Sequence, residues 1–196
     1  MATTPTQTNP AKVRLRDVRL SFSSLFTQSA SVKDGPLKYR ANLIIDPNTV
    51  EGKNNLKLLL KARKDVELEK FGKEMEYKDP KRLCIKKGDD QISEKTGEPY
   101  DGYSGMIIVS VTNGKKFPIV DSDLTPLSAE DGKPYNGCYV NAQITLYAIK
   151  DKDKGGNGLF GSLDAVQFKK HGTPFGGGGV KAEDVFEVEE SDTDDV

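Results

Sequence analysis

The chain has 196 residues, 35% hydrophobic and 30% charged, with a net charge of −1 at pH 7. That length suits one ordinary domain with short appendages, and no apolar run approaches the roughly 20 residues that a membrane-spanning helix needs. One histidine, His171, and two well-separated cysteines, Cys84 and Cys138, outside any CxxC spacing, leave almost no material for a catalytic triad, a zinc site or a disulfide framework.

Residues 1–10 are rich in Thr, Gln and Pro and lack the basic start and apolar stretch of a secretory signal, which implies a disordered N-terminus on a cytoplasmic protein. From Val13 to Phe22 (VRLRDVRLSF) apolar and basic residues alternate, as in a half-buried strand, until the phase slips at Asp17 and Val18 and predicts a bulge. Lys38–Ile45 (KYRANLII) reads as a second strand, stopped by Asp46, Pro47 and Asn48. Asn54–Phe71 is rich in helix formers, with Leu56, Leu59, Leu60 and Val66 at roughly helical spacing, and predicts one helix.

Leu83–Lys87 is a short strand, and Asp89–Tyr103 a long polar loop of the kind that tends to be functional or mobile. Met106–Thr112, the pair Asn113–Gly114 and Lys115–Val120 predict a hairpin on an Asn-Gly turn, with Pro118 placing the second arm at an edge. Cys138–Ile149 shows the clearest alternation in the chain and Leu163–Lys170 supplies a last strand. About six strands and one helix imply a mainly β fold, a small β-barrel rather than a sandwich, over residues 11–170.

Gly172–Gly179 (GTPFGGGG) has the composition of a flexible linker, taken as residues 171–182. Beyond it, residues 183–196 carry eight acids, Glu183, Asp184, Glu187, Glu189, Glu190, Asp192, Asp194 and Asp195, one aromatic, Phe186, and no Lys or Arg. Such a segment cannot bury enough apolar surface to offset chain entropy and is expected to be disordered, as acidic C-terminal interaction tails are. Residues 1–182 keep 29 basic and 22 acidic side chains, a net of +7. A basic body thus carries an acidic tail.

On the strand from Cys138, alternate residues Tyr139, Asn141, Gln143, Thr145 and Tyr147 share the face opposite the aliphatic set. Tyrosines on a polar face offer flat surfaces on which any base can stack, although the helix, the linker or a second copy of the chain could equally cover them, which leaves room for a homodimer. Basic residues recur on comparable faces: Arg14 and Arg16 on the first strand, Lys38 and Arg40 around Tyr39, then Lys86 with Lys87 and Lys115 with Lys116. Any one pair is ordinary solvated surface; their convergence with aromatics is what a phosphate-tracking, base-stacking groove requires. Gly156, Gly158 and Gly161 match the letters of GxGxxG but precede a strand pattern rather than a helix.

Several segments together resemble a known family. Pro36–Ile45 (PLKYRANLII), Pro118–Asp121 (PIVD), Tyr135–Ala142 (YNGCYVNA) and Gly158–Phe168 (GLFGSLDAVQF) are similar to the OB-fold single-stranded DNA-binding proteins of tailed bacteriophages. The resemblance implies an OB-type barrel with no catalysis and no cofactor, binding single-stranded DNA without sequence preference in the host cytoplasm. By the same analogy Lys38, Tyr39, Arg40, Tyr139 and Tyr147 are groove residues, and the acidic tail recruits replication or recombination proteins and competes with DNA. Many such tails end in an aromatic residue, whereas this one ends in Asp194, Asp195 and Val196. Two alternatives stay open: a phage structural or assembly protein, and a metal-dependent nuclease built on Asp89, Asp90, Asp101, Asp121 and Asp123.

Overall fold

Alternating side chains build most of the strands of this computed structural model, which describes residues 11–150 and 156–175. In chain order they are β1 (Lys12–Ser29), β2 (Lys38–Ile45), β3 (Ile85–Lys87), β4 (Ile107–Asn113), β5 (Ile119–Val120), β6 (Tyr139–Ile149) and β7 (Gly158–Lys170), with one helix, α1 (Val50–Phe71), between β2 and β3. β1 pairs antiparallel with both β2 and β6, β2 with β4, and β6 with β7; a parallel pairing of β4 with β7 closes the ring. The result is a closed five-stranded barrel, β1-β2-β4-β7-β6, with β3 added alongside β4 and β5 alongside β7. This is the mainly β, OB-like architecture that the sequence predicts. Closure lets the barrel strands pair on both sides, which removes most unpaired edges. At the closing pair, Val111 opposite Gly161, a Cβ on Gly161 would lie 2.9 Å from a Val111 methyl, so the backbones meet because one of them carries no side chain.

The predicted bulge is present. Asp17 takes a positive φ of 52°, and the β1–β6 register skips from Leu15↔Ala142 to Val18↔Val140. Without that extra residue Val18 and Leu20 would point outward; with it both are fully buried beside Val13 and Leu15. The backbone of Arg16, left out of the ladder, is taken up by Asn55 of α1, whose Oδ1 accepts from Arg16 N–H and whose Nδ2 donates to Arg16 C=O at 2.9 and 2.7 Å.

α1 starts one turn earlier than predicted because Thr49 caps it, accepting from Gly52 N–H, and it ends where Gly72 turns left-handed. Its buried face is Asn55, Leu59, Ala62, Val66 and Glu67, while Leu60, expected inside, is exposed. Glu67 is 1% exposed and fully paired: Arg63 Nε and Tyr77 Oη donate to one carboxylate oxygen, and Met75 N–H donates to the other. Burial and this hydrogen bond hold the Tyr77 hydroxyl protonated well above its usual range. One carboxylate therefore pins the chain as it leaves the helix.

The predicted Asn113–Gly114 hairpin does not form. A type I′ turn needs positive φ at both central residues, and neither has it. Instead β5 crosses to pair parallel with β7, Ile119 opposite Val166, and it has only two residues because Pro118 offers no N–H. Among the described residues no helix is long and apolar enough to cross a membrane.

β7 ends at Lys170, yet the next five residues, read from composition as the start of a linker, fold back on the barrel. Arg19 donates to Thr173 C=O at 2.6 Å, Tyr135 Oη to Gly172 C=O at 3.0 Å, and Phe175 N–H to Asn136 C=O at 3.0 Å. Glycine makes this possible: a Cβ on Gly137 (φ 109°) would lie 2.2 Å from Thr173 O. Residues 1–10 and 151–155, the rest of the expected linker (176–182) and the acidic residues 183–196 lie outside the described residues.

Replacing Glu67 by Ala strands a guanidinium, a phenol and a backbone N–H; we expect a loss of about 3 kcal/mol in urea unfolding with unchanged near-native secondary structure by circular dichroism.

Candidate nucleic-acid interface

The pleat of β2 sends Lys38, Arg40 and Asn42 outward and Tyr39, Ala41 and Leu43 into the core. On β4 the outward neighbours are Thr112, opposite Arg40, and Ser110, opposite Asn42. β3 adds Lys86, and the segment before it adds Lys81. These residues line an open groove of about 780 Å³ that also receives Phe22 from β1 and Phe160 from β7. The Arg40 guanidinium is aimed by an Nη2–H bond to Ser29 C=O.

The long polar loop forms a wall behind Phe22 and Asn42 of this groove. Tyr103, 1% exposed, packs with Ile44 and Ile108 in a small second core, and its hydroxyl hydrogen-bonds Ser21 Oγ at 2.6 Å and Asn42 Nδ2 at 2.9 Å. Burial pushes that hydroxyl's pKa upward. Against this wall stands Phe22, 53% exposed, its ring edge-on to Tyr100 with centroids 4.8 Å apart. Phe22 holds a φ of +44°, costly for any residue with a Cβ, at the second register break of β1, between Ser21 and Ser24. Strict alternation would put Phe22 inside with Leu20; the break turns the ring to solvent. At the other side Phe160 faces Tyr147 across the β6–β7 ladder, centroids 5.9 Å apart, with the Arg82 guanidinium 5.4 Å from the Phe160 centroid. Tyr147 is 39% exposed, and partial burial raises its pKa, so the ring stays a neutral phenol.

Of the residues singled out from sequence, Lys38, Arg40 and Lys86 come together in the groove, and Tyr147 adjoins it through Phe160. Lys87 is exposed at the end of β3, and Lys115 and Lys116 are exposed in the segment after β4. Tyr39 is corrected: it is 7% exposed, edge-on to Phe117, and offers no face to a base. Arg14 and Arg16 line a different cavity with Leu124, Asn141, Gln143 and Gln167 on the β1–β6–β7 side. Tyr139 stands at the opposite end of β6 from Tyr147, about 26 Å away at 3.3 Å per residue, with Lys170 Nζ 4.6 Å and Arg19 6.0 Å from its ring centroid. Sequence reasoning missed Phe22, Phe160, Lys81 and the polar floor of Asn42, Ser110 and Thr112.

The aspartates weighed for a metal site are dispersed. Asp121 pairs with Lys133 at 2.6 Å, which with neighbouring hydrogen bonds lowers its pKa; Asp123 is lowered by hydrogen bonds from Thr125; Asp89 accepts from Ser104 and Gly105. Among the described residues no three His, Cys, Asp or Glu side chains gather where they could hold a metal ion.

A family model described as the ssDNA-binding protein of Enterobacter phage Enc34 matches residues 11–196. The chain belongs to this phage family. A second relative, protein p50 of Acyrthosiphon pisum secondary endosymbiont phage 1, is 36% identical over 183 residues, covering 90% of this chain and 92% of that protein. Among solved structures, the single-stranded DNA-binding protein of bacteriophage Enc34 in complex with ssDNA superposes with a TM-score of 0.70 at 21% identity, over 85% of this chain and 90% of that one. The same protein in a structure described without DNA gives 0.69 at 20% identity, over 90% of each chain. At that identity the agreement establishes the shared fold.

The left-handed Phe22 makes a stability prediction. Glycine there relieves about 1 kcal/mol of backbone strain while losing ring contacts of similar size with Tyr100 and Tyr103. Phe22→Gly is therefore expected to unfold within about 1 kcal/mol of the parent in urea, where an ordinary Phe truncation in a core costs about 3 to 5.

Proposed function

We propose that the chain binds single-stranded DNA along the groove over β2 and β4, and that the contacts of this groove carry no sequence preference. The observation that carries this reading is the lining of that groove: Lys38, Arg40, Lys81 and Lys86 flanked by the rings of Phe22 and Phe160. The ammonium and guanidinium groups displace counterions from the phosphates, and the rings receive bases at about 1 to 3 kcal/mol per stacked base. Stacking on a flat ring reads no base edge, so composition matters little. Duplex keeps its base faces inside the stack and forfeits that term, so it competes poorly. In the barrel topology the groove lies on the face that OB-folds commonly use for oligonucleotides. Membership of the phage family and the DNA-bound relative of the same fold support the reading.

On this basis the protein coats single strands produced during phage replication or recombination, in the host cytoplasm. The acidic residues Glu183 to Asp195 serve there as a recruitment segment for other proteins of those processes and as a polyanion that competes with DNA for the groove.

Fluorescence anisotropy of a labelled oligo(dT), titrated across salt concentrations, tests the groove. Lys38→Ala, Arg40→Ala and Lys86→Ala are each expected to flatten the log–log salt slope by about 0.7; Arg14→Ala and Arg16→Ala should leave it nearly unchanged. Phe160→Ala should lose about tenfold in affinity at every salt concentration. Competition by unlabelled duplex equal to that by single strands would overturn the reading. Removal of residues 183–196 is expected to tighten binding at low salt and to matter less as salt rises; unchanged affinity at low salt would remove the competitive role.

A further inference from the structure

On the far side of Phe22 lies a second cavity, of about 590 Å³, that the groove does not use. Its walls are the rings of Phe22, Tyr100 and Phe175, and its polar lining includes Glu94, Asp101 and Asn136. Phe175 closes it from the C-terminal side: its ring lies 3.9 Å from the Arg19 guanidinium and packs so close to Gly102 (φ 73°) that a Cβ there would come within 2.7 Å of a ring carbon. The cavity and the groove share Phe22, and Tyr103 Oη, hydrogen-bonded to Ser21 Oγ and accepting from Asn42 Nδ2, ties the floor of one to the floor of the other. A strand lying in the groove would thus pass the mouth of the cavity.

Charge decides what can enter. The carboxylates of Glu94 and Asp101 have no hydrogen-bond or ion-pair partner among the described residues, and the one cation of the lining is Lys95. Two carboxylates without a partner among the described residues repel phosphate, which favours the sugar–phosphate chain staying over Lys38, Arg40 and Lys86. They are, however, good acceptors for an amino group, and carboxylate accepting from the cytosine N4 amine is an established pairing. Aromatic walls and acceptors at the edge together fit a nucleobase that carries an exocyclic amine. Thymine, which presents O4 and a methyl group where cytosine presents that amine, fits worst.

We infer that this cavity takes up one amino-bearing base, turned out of the groove past Phe22 between the rings of Tyr100 and Phe175, and gives the protein a mild preference for cytosine over thymine. The inference rests on the groove reading and adds a separate site to it.

The test compares oligo(dC) with oligo(dT) of equal length, at mildly alkaline pH where cytosine is neutral, using the full chain and the double variant Glu94→Ala/Asp101→Ala. Both positions are exposed, so the fold is not at stake. The parent is expected to bind oligo(dC) about fivefold more tightly than oligo(dT), the scale of one net hydrogen bond. The double variant should bind both oligonucleotides more tightly at low salt, because two repelling charges are gone, with the ratio between them falling to about one. Tyr100→Ala should lower the same ratio without altering the salt slope. A ratio near one in the parent, or a ratio that the double variant leaves intact, overturns the cavity's role while single-strand binding stands. Failure of the parent to bind either oligonucleotide overturns the groove reading itself, and the cavity's role with it.

Discussion

A strand that is hydrogen-bonded to different neighbours in its two halves has to turn its plane along the way, and β1 does this for the whole barrel. Its first half pairs with β6 and its second with β2, so closure of the sheet depends on β1 bending without losing its inward face. Of the three breaks in its ladders, two, at Asp17 and at Phe22, each carry a left-handed non-glycine residue; the third lies between Ser24 and Ser29. The first keeps Val18 and Leu20 in the core and leaves one backbone unit over, which Asn55 from the helix satisfies. The second turns an aromatic ring outward at the mouth of a basic groove. Barrel closure, helix docking and ring presentation are thus three effects of one strand's curvature.

Because the cations are divided among several faces, the net charge of the body understates how local the electrostatics are. Lys170 and Lys169 are tied to Asp17, 3.1 and 3.4 Å from its carboxylate, and Lys133 to Asp121; Arg19 is spent on Thr173, Gly137 and the Phe175 ring. What the groove keeps is a short row, Lys38, Arg40, Lys81 and Lys86, set against neutral hydroxyl and amide side chains. In the proposed function this row follows the phosphates along one direction and leaves the bases to the aromatic flanks.

Much of this architecture was legible in the sequence. The period-two pattern located β2 to the residue, the slip at Asp17 announced the first bulge, and the two faces of β6 divide as the alternation divides them. Tyr39 shows the limit of analogy against parity: if Lys38 and Arg40 face out, the residue between them faces in, and that rule outweighs resemblance to a motif. Phe22 could not be found this way, since a period of two places it with Leu20 and only the three-dimensional need for a second bend turns it out. The Asn-Gly dipeptide misled because a local turn preference of modest energy lost to the pairing of Ile119 and Val120 with a strand some 45 residues away. Nor does composition reveal that Gly172 serves close contact with Gly137 rather than freedom.

The fold-back of residues 171–175 also fixes where the remainder of the chain begins. Phe175 forms part of the same cavity wall as Phe22, so the chain leaves the barrel beside the groove. Glu183, the first acid of the run, is eight residues further on, a contour of at most about 28 Å whatever path the backbone takes. On the proposed reading, that reach sets the effective concentration of the acidic run at the groove, in the millimolar range for short connections. If the acidic run competes for the groove as proposed, the anchoring point of the chain, the seat of Phe175 over Gly102, weighs in that competition as much as the number of charges in the run.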